Sequence, residues 1–231
     1  MNNDVTLSGF LDDVRNHEMT IKADTDEFRS LTFSHPKTNN KYFNITTWGY
    51  HLCISGDMGT YVFSRLNDMF DFFRSETMYV NHGYWGEKLE AISKWGGQYE
   101  FCSSLVVNSI RARAAEICEQ IEHYVGEEQK ALGKSNQELQ DEFLEEIDQL
   151  ISFHDFDEYR YVSTVEEFHS ITLGGNPLLD DGYFDWLQDK ELSYQYQWCC
   201  FAIVWAIKQY DRYHNPIVIP SHYQALQSDV E

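Results

Sequence analysis

The chain has 231 residues, 42% hydrophobic and 16% aromatic, enough for one sizeable core or two small ones. Thirty-eight acidic side chains against 17 basic ones leave a net charge of −21. Such a field repels nucleic acid and acidic membranes and attracts basic surfaces, including those that nucleic-acid-binding proteins turn towards phosphates. Residues 1–95 hold 13 acids and 9 bases, whereas residues 96–231 hold 25 and 8, so the acidity belongs to the second half.

The stretch MNNDVTLSGFLDDVRNHE has neither the basic nor the apolar region of a signal peptide. Trp198 to Ile207, the longest apolar run, is far short of the roughly 20 residues a membrane span requires. Five cysteines form no CxxC pair, and the expectation is a soluble protein with reduced thiols in the cytoplasm.

Leu7, Phe10, Leu11 and Val14 predict a short amphipathic helix between Thr6 and His17. From Met19 the pattern changes to short runs rich in Thr, Ile, Phe and Tyr: MTIKAD, EFRSLTFSH, KYFNITTW and YHLCIS, with Pro36 to Asn40 as a turn. These predict an antiparallel meander. Gly56-Asp57-Met58-Gly59 links the alternating runs Leu52/Ile54 and Tyr61/Phe63. It lacks the spacing of a phosphate loop and no helix follows it directly, so it reads as a hairpin turn.

Ser64 is placed as the N-cap of a helix carrying Leu66, Met69, Phe70 and Phe73. Asn81 to Trp95 reads as a second helix, with Trp85, Leu89 and Ile92 on one face and Gly96-Gly97 at its end.

Beyond Gly97 the period is helical. Ile110, Ala114, Ile117, Ile121 and Tyr124 form a seam, and after the loop at Gly133 to Asn136 the helix Gln137 to Ile151 puts Leu139, Phe143, Ile147, Leu150 and Ile151 on one side. The two helices are expected to form an antiparallel hairpin. Glu158 to Val162 reads as a short strand, Ser163 to Glu166 as a capping box opening another helix, and Gly174 to Pro177 as a loop. Tyr194 to Tyr210 is apolar nearly all round and predicts a central buried helix stopped by Asn215-Pro216, with a loose end from Gln224.

Catalytic patterns are missing. His154-Asp155-Phe156-Asp157-Glu158 is the densest group of metal-ligating types, but neither an HExxH, an EF-hand loop nor a second histidine at ligand spacing accompanies it. No GxSxG elbow or cysteine nucleophile motif is present, and no catalytic residue, metal or cofactor is assigned. The bases are too few and scattered for direct nucleic-acid binding.

Opposite the apolar stripe of Gln137 to Ile151, the residues Glu138, Asp141, Glu145 and Asp148 fall on one line, flanked by Glu142 and Glu146 and extended by Asp155, Asp157 and Glu158. No base intervenes between Lys134 and Arg160. A solvated helix face needs no partner, yet repulsion on this scale weakens a fold, so a bland reading and a functional one both stand. In the functional one these nine carboxylates present a band of negative charge to a phosphate-binding groove.

The block from Ile45 to Arg74, centred on ISGDMGTYVFSRLNDMFDFFR, with NHGYWGEK at Asn81 to Lys88 and QWCCFAIVWAI at Gln197 to Ile207, is similar to a group of uncharacterised bacteriophage and prophage proteins. The resemblance spans roughly half the chain and brings no catalytic residues. It implies a small acidic phage-type protein acting in the bacterial cytoplasm, where antagonists of restriction, CRISPR and other defences are common.

The expected fold is α+β: an antiparallel sheet of four or five strands with packed helices over residues 1–97, then an acidic, mainly helical region over residues 98–231 packed on it. The expected function is non-enzymatic inhibition, of the anti-CRISPR or anti-restriction type. The partner is a host defence protein or complex with a basic nucleic-acid-binding surface, and neither nucleic acid itself nor a membrane is bound. Two other readings stay open. One is an enzyme with a site assembled from distant residues, acting on a nucleotide or a defence protein; the other is an assembly protein that self-associates through the Ile110 to Tyr124 seam.

Overall fold

Thr6 accepts a hydrogen bond from Gly9 N–H and so starts α1 (Leu7–Val14), which buries Phe10 and Val14. The computed structural model, which describes residues 4–216 apart from 95, 122–132, 155, 174–175 and 181, then turns the alternating runs into a meander. Strands β1 (Glu18–Thr25), β2 (Phe28–His35), β3 (Thr38–Trp48), β4 (His51–Gly56) and β5 (Gly59–Ser64) pair antiparallel in sequence order. Leu31 faces Ile45, Ile45 faces Ile54 and Ile54 faces Tyr61, with Phe33 against Phe43 and Leu52 against Phe63. All are buried. A slip of one residue would exchange them for the polar row Thr32, Asn44, Ser55 and Thr60, so burial sets the register.

The hairpin at Gly56 to Gly59 is a turn. The two glycines pair, Asp57 N–H donates to the Tyr42 carbonyl at 3.0 Å, and the Asp57 carboxylate accepts from Lys41 N–H at 2.8 Å. A Cβ on Gly56 would lie 2.2 Å from the Tyr42 carbonyl oxygen, which excludes any side chain there.

After β5 the chain departs from the expected helices. Ser64 pairs with His51 as the last residue of β5, and the cap is Asp68, whose side chain accepts from Phe70 N–H to open α2 (Met69–Phe73). Leu66, left outside the helix, is exposed. The helix expected over Asn81 to Trp95 is a single turn, α3 (His82–Gly86), followed by β6 (Leu89–Ile92) on the free edge of β5. Two glycines weaken that helix, and the edge offers backbone partners: Ser64 N–H donates to the Lys88 carbonyl and Ser93 N–H to that of Thr60, both at 3.0 Å. The sheet therefore has six strands.

Strand β7 (Tyr99–Phe101) leads to α4 (Ser103–Glu119), whose Val106, Ile110, Ala114 and Ile117 are buried, as is Ile121 beyond it. Helix α5 (Asn136–Phe153) buries Leu139, Phe143 and Ile147 in the same cluster. Arg111 pairs with Asp148 while the Gln140 amide reaches the Cys118 carbonyl, so the two helices run antiparallel as expected. The seam proposed for self-association is occupied by α5; its last member, Tyr124, lies outside the described residues.

The strand expected at Glu158 to Val162 is instead a turn running into α6 (Tyr161–Glu166), because the Asp157 carboxylate accepts from Tyr159 and Arg160 N–H. Ser163 consequently sits inside that helix and caps nothing, donating to the Arg160 carbonyl. A 3-10 turn (Glu167–Ser170), the paired β8 (Thr172–Leu173) and β9 (Asn176–Pro177), and α7 (Tyr183–Trp186) complete this part. Of the loop expected at Gly174 to Pro177, 174–175 lie outside the described residues and Asn176–Pro177 is β9.

Through β10 (Lys190–Leu192) the chain reaches α8 (Tyr194–His214), which ends at the expected Asn215. The end expected to be loose, from Gln224, lies outside the described residues. Residues 1–99 and 192–231 form one unit and residues 100–191 the other. This corrects the division at residue 97 with a single region from 98 to 231: the last helix belongs with the sheet, where Trp198, Cys200, Ile203, Val204 and Ile207 are buried with the strand residues. Phe33 stacks on Phe43 at 4.8 Å, Trp205 and Trp198 meet their edges, and Trp198 Nε1 donates to Asp13 at 3.0 Å.

Beside this core the buried Arg29 forks onto Asp68 at 2.9 and 2.8 Å and lies over the Phe70 ring, with Tyr210 also in reach. One side chain thus joins β2 to α2 and α8. Burial by itself would raise the Asp68 pKa, but hydrogen bonds from Arg29 and Phe70 N–H outweigh it, and the carboxyl sits below its ordinary 3.8. A carboxyl depressed on folding contributes stability above its unfolded pKa that is lost as pH falls through the folded value. Denaturant unfolding from about pH 5 to 2 should therefore show a steeper loss for the natural chain than for Asp68→Asn, which should be the less stable of the two at neutral pH. Phe33→Ala should cost about 3–5 kcal/mol in the same assay, against about 0.5 or less for the exposed Phe153→Ala.

Candidate acidic interface

The register of α5 is set at its first turn. Ser135 Oγ accepts from Glu138 N–H at 3.2 Å and the Glu138 carboxylate accepts from Ser135 N–H at 2.7 Å, a reciprocal capping box. These hydrogen bonds from the Ser135 backbone and hydroxyl, followed by the charge of Lys134, hold the Glu138 carboxyl below its ordinary range. With Leu139, Phe143 and Ile147 turned inwards, Glu138, Asp141, Glu142, Glu145, Glu146 and Asp148 are all exposed. Glu138 to Asp148 spans about 15 Å at about 1.5 Å per residue.

The carboxylates are unequal. Glu142 accepts from Lys134 at 2.6 Å and Asp148 from Arg111 at 2.9 Å, so the helical hairpin supplies counter-charges that the run from Lys134 to Arg160 lacks in sequence. Among the described residues Asp141 and Glu145 take the side-chain amides of Gln137 and Gln149, neutral partners that leave their charge in place. Glu146 has no ion-pair partner among the described residues. Asp157 and Glu158 belong to the turn that opens α6, where Asp157 is half-buried and engaged with backbone N–H groups. Asp155 lies outside the described residues.

Aromatic side chains stand where the sequence reading named none. Phe153 is 83% exposed and, with Glu145, Asp148, Gln149 and Ser152, lines a shallow depression of about 650 Å³; Tyr159 is 93% exposed. The signal for Phe153 is its phase. Residues 139, 143 and 147 define the buried stripe, and 153 falls beside it rather than on it.

A second depression, of about 300 Å³, lies along α4 and is lined by Asn108, Arg113, Glu116 and Trp186 among others. Arg113 is committed there to Glu116 and Asp180, each at 3.3 Å. No histidine or cysteine lines it. Burial pushes the thiols of Cys53, Cys118, Cys199 and Cys200 up, which disfavours the nucleophilic thiolate. Among the described residues no group of three or more His, Cys, Asp or Glu is arranged to hold a metal ion, and no helix is long and apolar enough to cross a membrane. No family model, curated protein or solved structure matches the chain.

Ser135→Ala removes the cap on which the acidic register depends. It should cost about 1 kcal/mol and lower helicity measurably by circular dichroism, while Ser152→Ala at the other end should change little.

Proposed function

We propose that this chain is a non-enzymatic, phage-type inhibitor of a bacterial nucleic-acid-targeting defence complex, acting through α5 as a stand-in for nucleic-acid phosphates. The observation that carries the reading is the exposed, regularly stepped row Glu138, Asp141, Glu145 and Asp148, with the exposed Phe153 at its end. A row of fixed negative charge at helical spacing offers a basic groove an alternative to its phosphates, and long-range attraction steers the two together. An aromatic side chain at the rim supplies apolar contact and a face on which an arginine guanidinium can stack. The setting in phage-host conflict comes from the resemblance in the sequence, and the bacterial cytoplasm is part of that proposal.

The division of labour along α5 dictates the test. Glu138 closes the cap and Asp148 pairs with Arg111, so reversing them disturbs the fold together with the surface. Asp141, Glu145 and Glu146 carry no such duty. Asp141→Lys, Glu145→Lys and Glu146→Lys combined should abolish capture of the host complex while circular dichroism stays unchanged. Capture by the natural chain should be competed by the complex's own DNA or RNA and should weaken about a hundredfold or more between about 50 and 200 mM salt. Capture that ignores salt and survives the triple reversal would remove the mimicry mechanism.

A further inference from the structure

Antiparallel pairing of β1 and β2 brings together two loops that are distant in sequence. Glu18 faces Ser34, so His17 at the end of the α1–β1 connection comes beside His35 at the end of β2. The β2–β3 turn carries Lys37, and the residues after α1 carry Arg15. These four side chains, with Glu18, line a depression of about 470 Å³, the size of a small-molecule site.

Its chemistry runs against that of the molecule. The chain has 38 carboxylates, and Arg29, Lys41, Arg74, Lys88, Arg111, Arg113 and Lys134 all take one as an ion-pair partner. Among the described residues Lys22, Arg65, Arg160, Lys190, Lys208 and Arg212 take none, and neither do Arg15 and Lys37, but these last two share one pocket, with Glu18 in it. The histidine hydrogen bonds set the remaining donor. His35 Nδ1 accepts from Lys37 N–H at 3.0 Å, which puts the proton of the neutral ring on Nε2. His17 Nε2 lies 2.9 Å from the Lys41 carbonyl and must donate to it, so this ring is a fixed wall with its other nitrogen buried.

We propose that this pocket binds a phosphate group, borne by inorganic phosphate or by a small phosphomonoester, with Arg15 and Lys37 supplying charge and His35 Nε2–H a third donor. A guanidinium, an ammonium and an imidazole on the lining of one recess match the several acceptor oxygens of a tetrahedral dianion. All of these residues belong to the sheet unit, and none of them to α5. Because the molecule as a whole repels anions, non-specific accumulation of phosphate does not imitate occupancy.

The test is titration of the full-length, isotope-labelled chain with inorganic phosphate, AMP and adenosine, at fixed pH and at ionic strength held constant with chloride, followed by amide chemical shifts. Saturable shifts confined to residues 15–18 and 35–37 with phosphate or AMP, and none with adenosine, are expected. AMP binding tighter than phosphate identifies a phosphomonoester as the ligand; equal binding identifies the bare ion. Arg15→Gln and Lys37→Gln, both at exposed positions, should each weaken binding about tenfold, and an unchanged spectrum elsewhere reports an intact fold. Absence of a saturable shift up to about 20 mM phosphate or AMP, adenosine binding as well as AMP, or folded variants that bind as the natural chain does would each overturn the proposal.

Discussion

A helix with no polar side must be enclosed, and the sheet unit is organised by that requirement. From Tyr196 to Ile207, α8 buries Trp198, Cys199, Cys200, Ala202, Ile203, Val204, Ala206 and Ile207, which cover about two thirds of its circumference, and the partly buried Phe201 and Trp205 fill the rest. Water is unfavourable around any part of such a helix. The sheet supplies one wall through Phe33, Phe43, Ile45, Ile54 and Tyr61, and α1 supplies another through Phe10, which meets Trp198 edge-on at 5.2 Å. The polar atoms that enter with it are provided for: Trp198 donates to Asp13, Gln197 accepts from Val5 N–H, and the Tyr196 hydroxyl donates to the His82 carbonyl. Arg29 then ties the far end of the helix to β2 and α2 with charge.

Enclosure of α8 also explains the order of the chain. The last helix has to return to the first strands, so the acidic helical hairpin is an insertion between β7 and β10. The insertion carries its own hydrophobic cluster, with Val106, Ile110, Phe143, Val165, Phe168 and Leu178 among its members. A core of its own offsets the repulsion that its acidic surface imposes on this unit. The most negative helix is accordingly pinned by local devices, the Ser135 and Glu138 box at its start and the Lys134 and Arg111 pairs along it.

Those devices sort the carboxylates by what they do. Glu138, Glu142 and Asp148 serve the fold in addition to facing water, whereas Asp141, Glu145 and Glu146 serve it little. The same sorting, read with opposite sign, bears on Arg15 and Lys37: two cations without ion-pair partners among the described residues line one depression.

Composition and period by themselves determined the α+β class, the meander, the hairpin at Gly56 to Gly59, the antiparallel pair of helices and the burial of α8. Each rests on side-chain alternation or on a stripe, and such patterns are local. Tertiary structure alone decided the rest. Leu89 to Ile92 became a strand because β5 had an unpaired edge, Glu158 to Val162 became a turn and helix because Asp157 bonds the next N–H groups, and the C-terminal helix joined the sheet because only the sheet's aromatic face encloses it. The pairing of Glu142 and Asp148 with bases, and the meeting of Arg15 with Lys37, depend on which segments become neighbours. Charge and free backbone groups act through space, so their partners are settled when the chain closes on itself, whereas periodicity is written residue by residue along it.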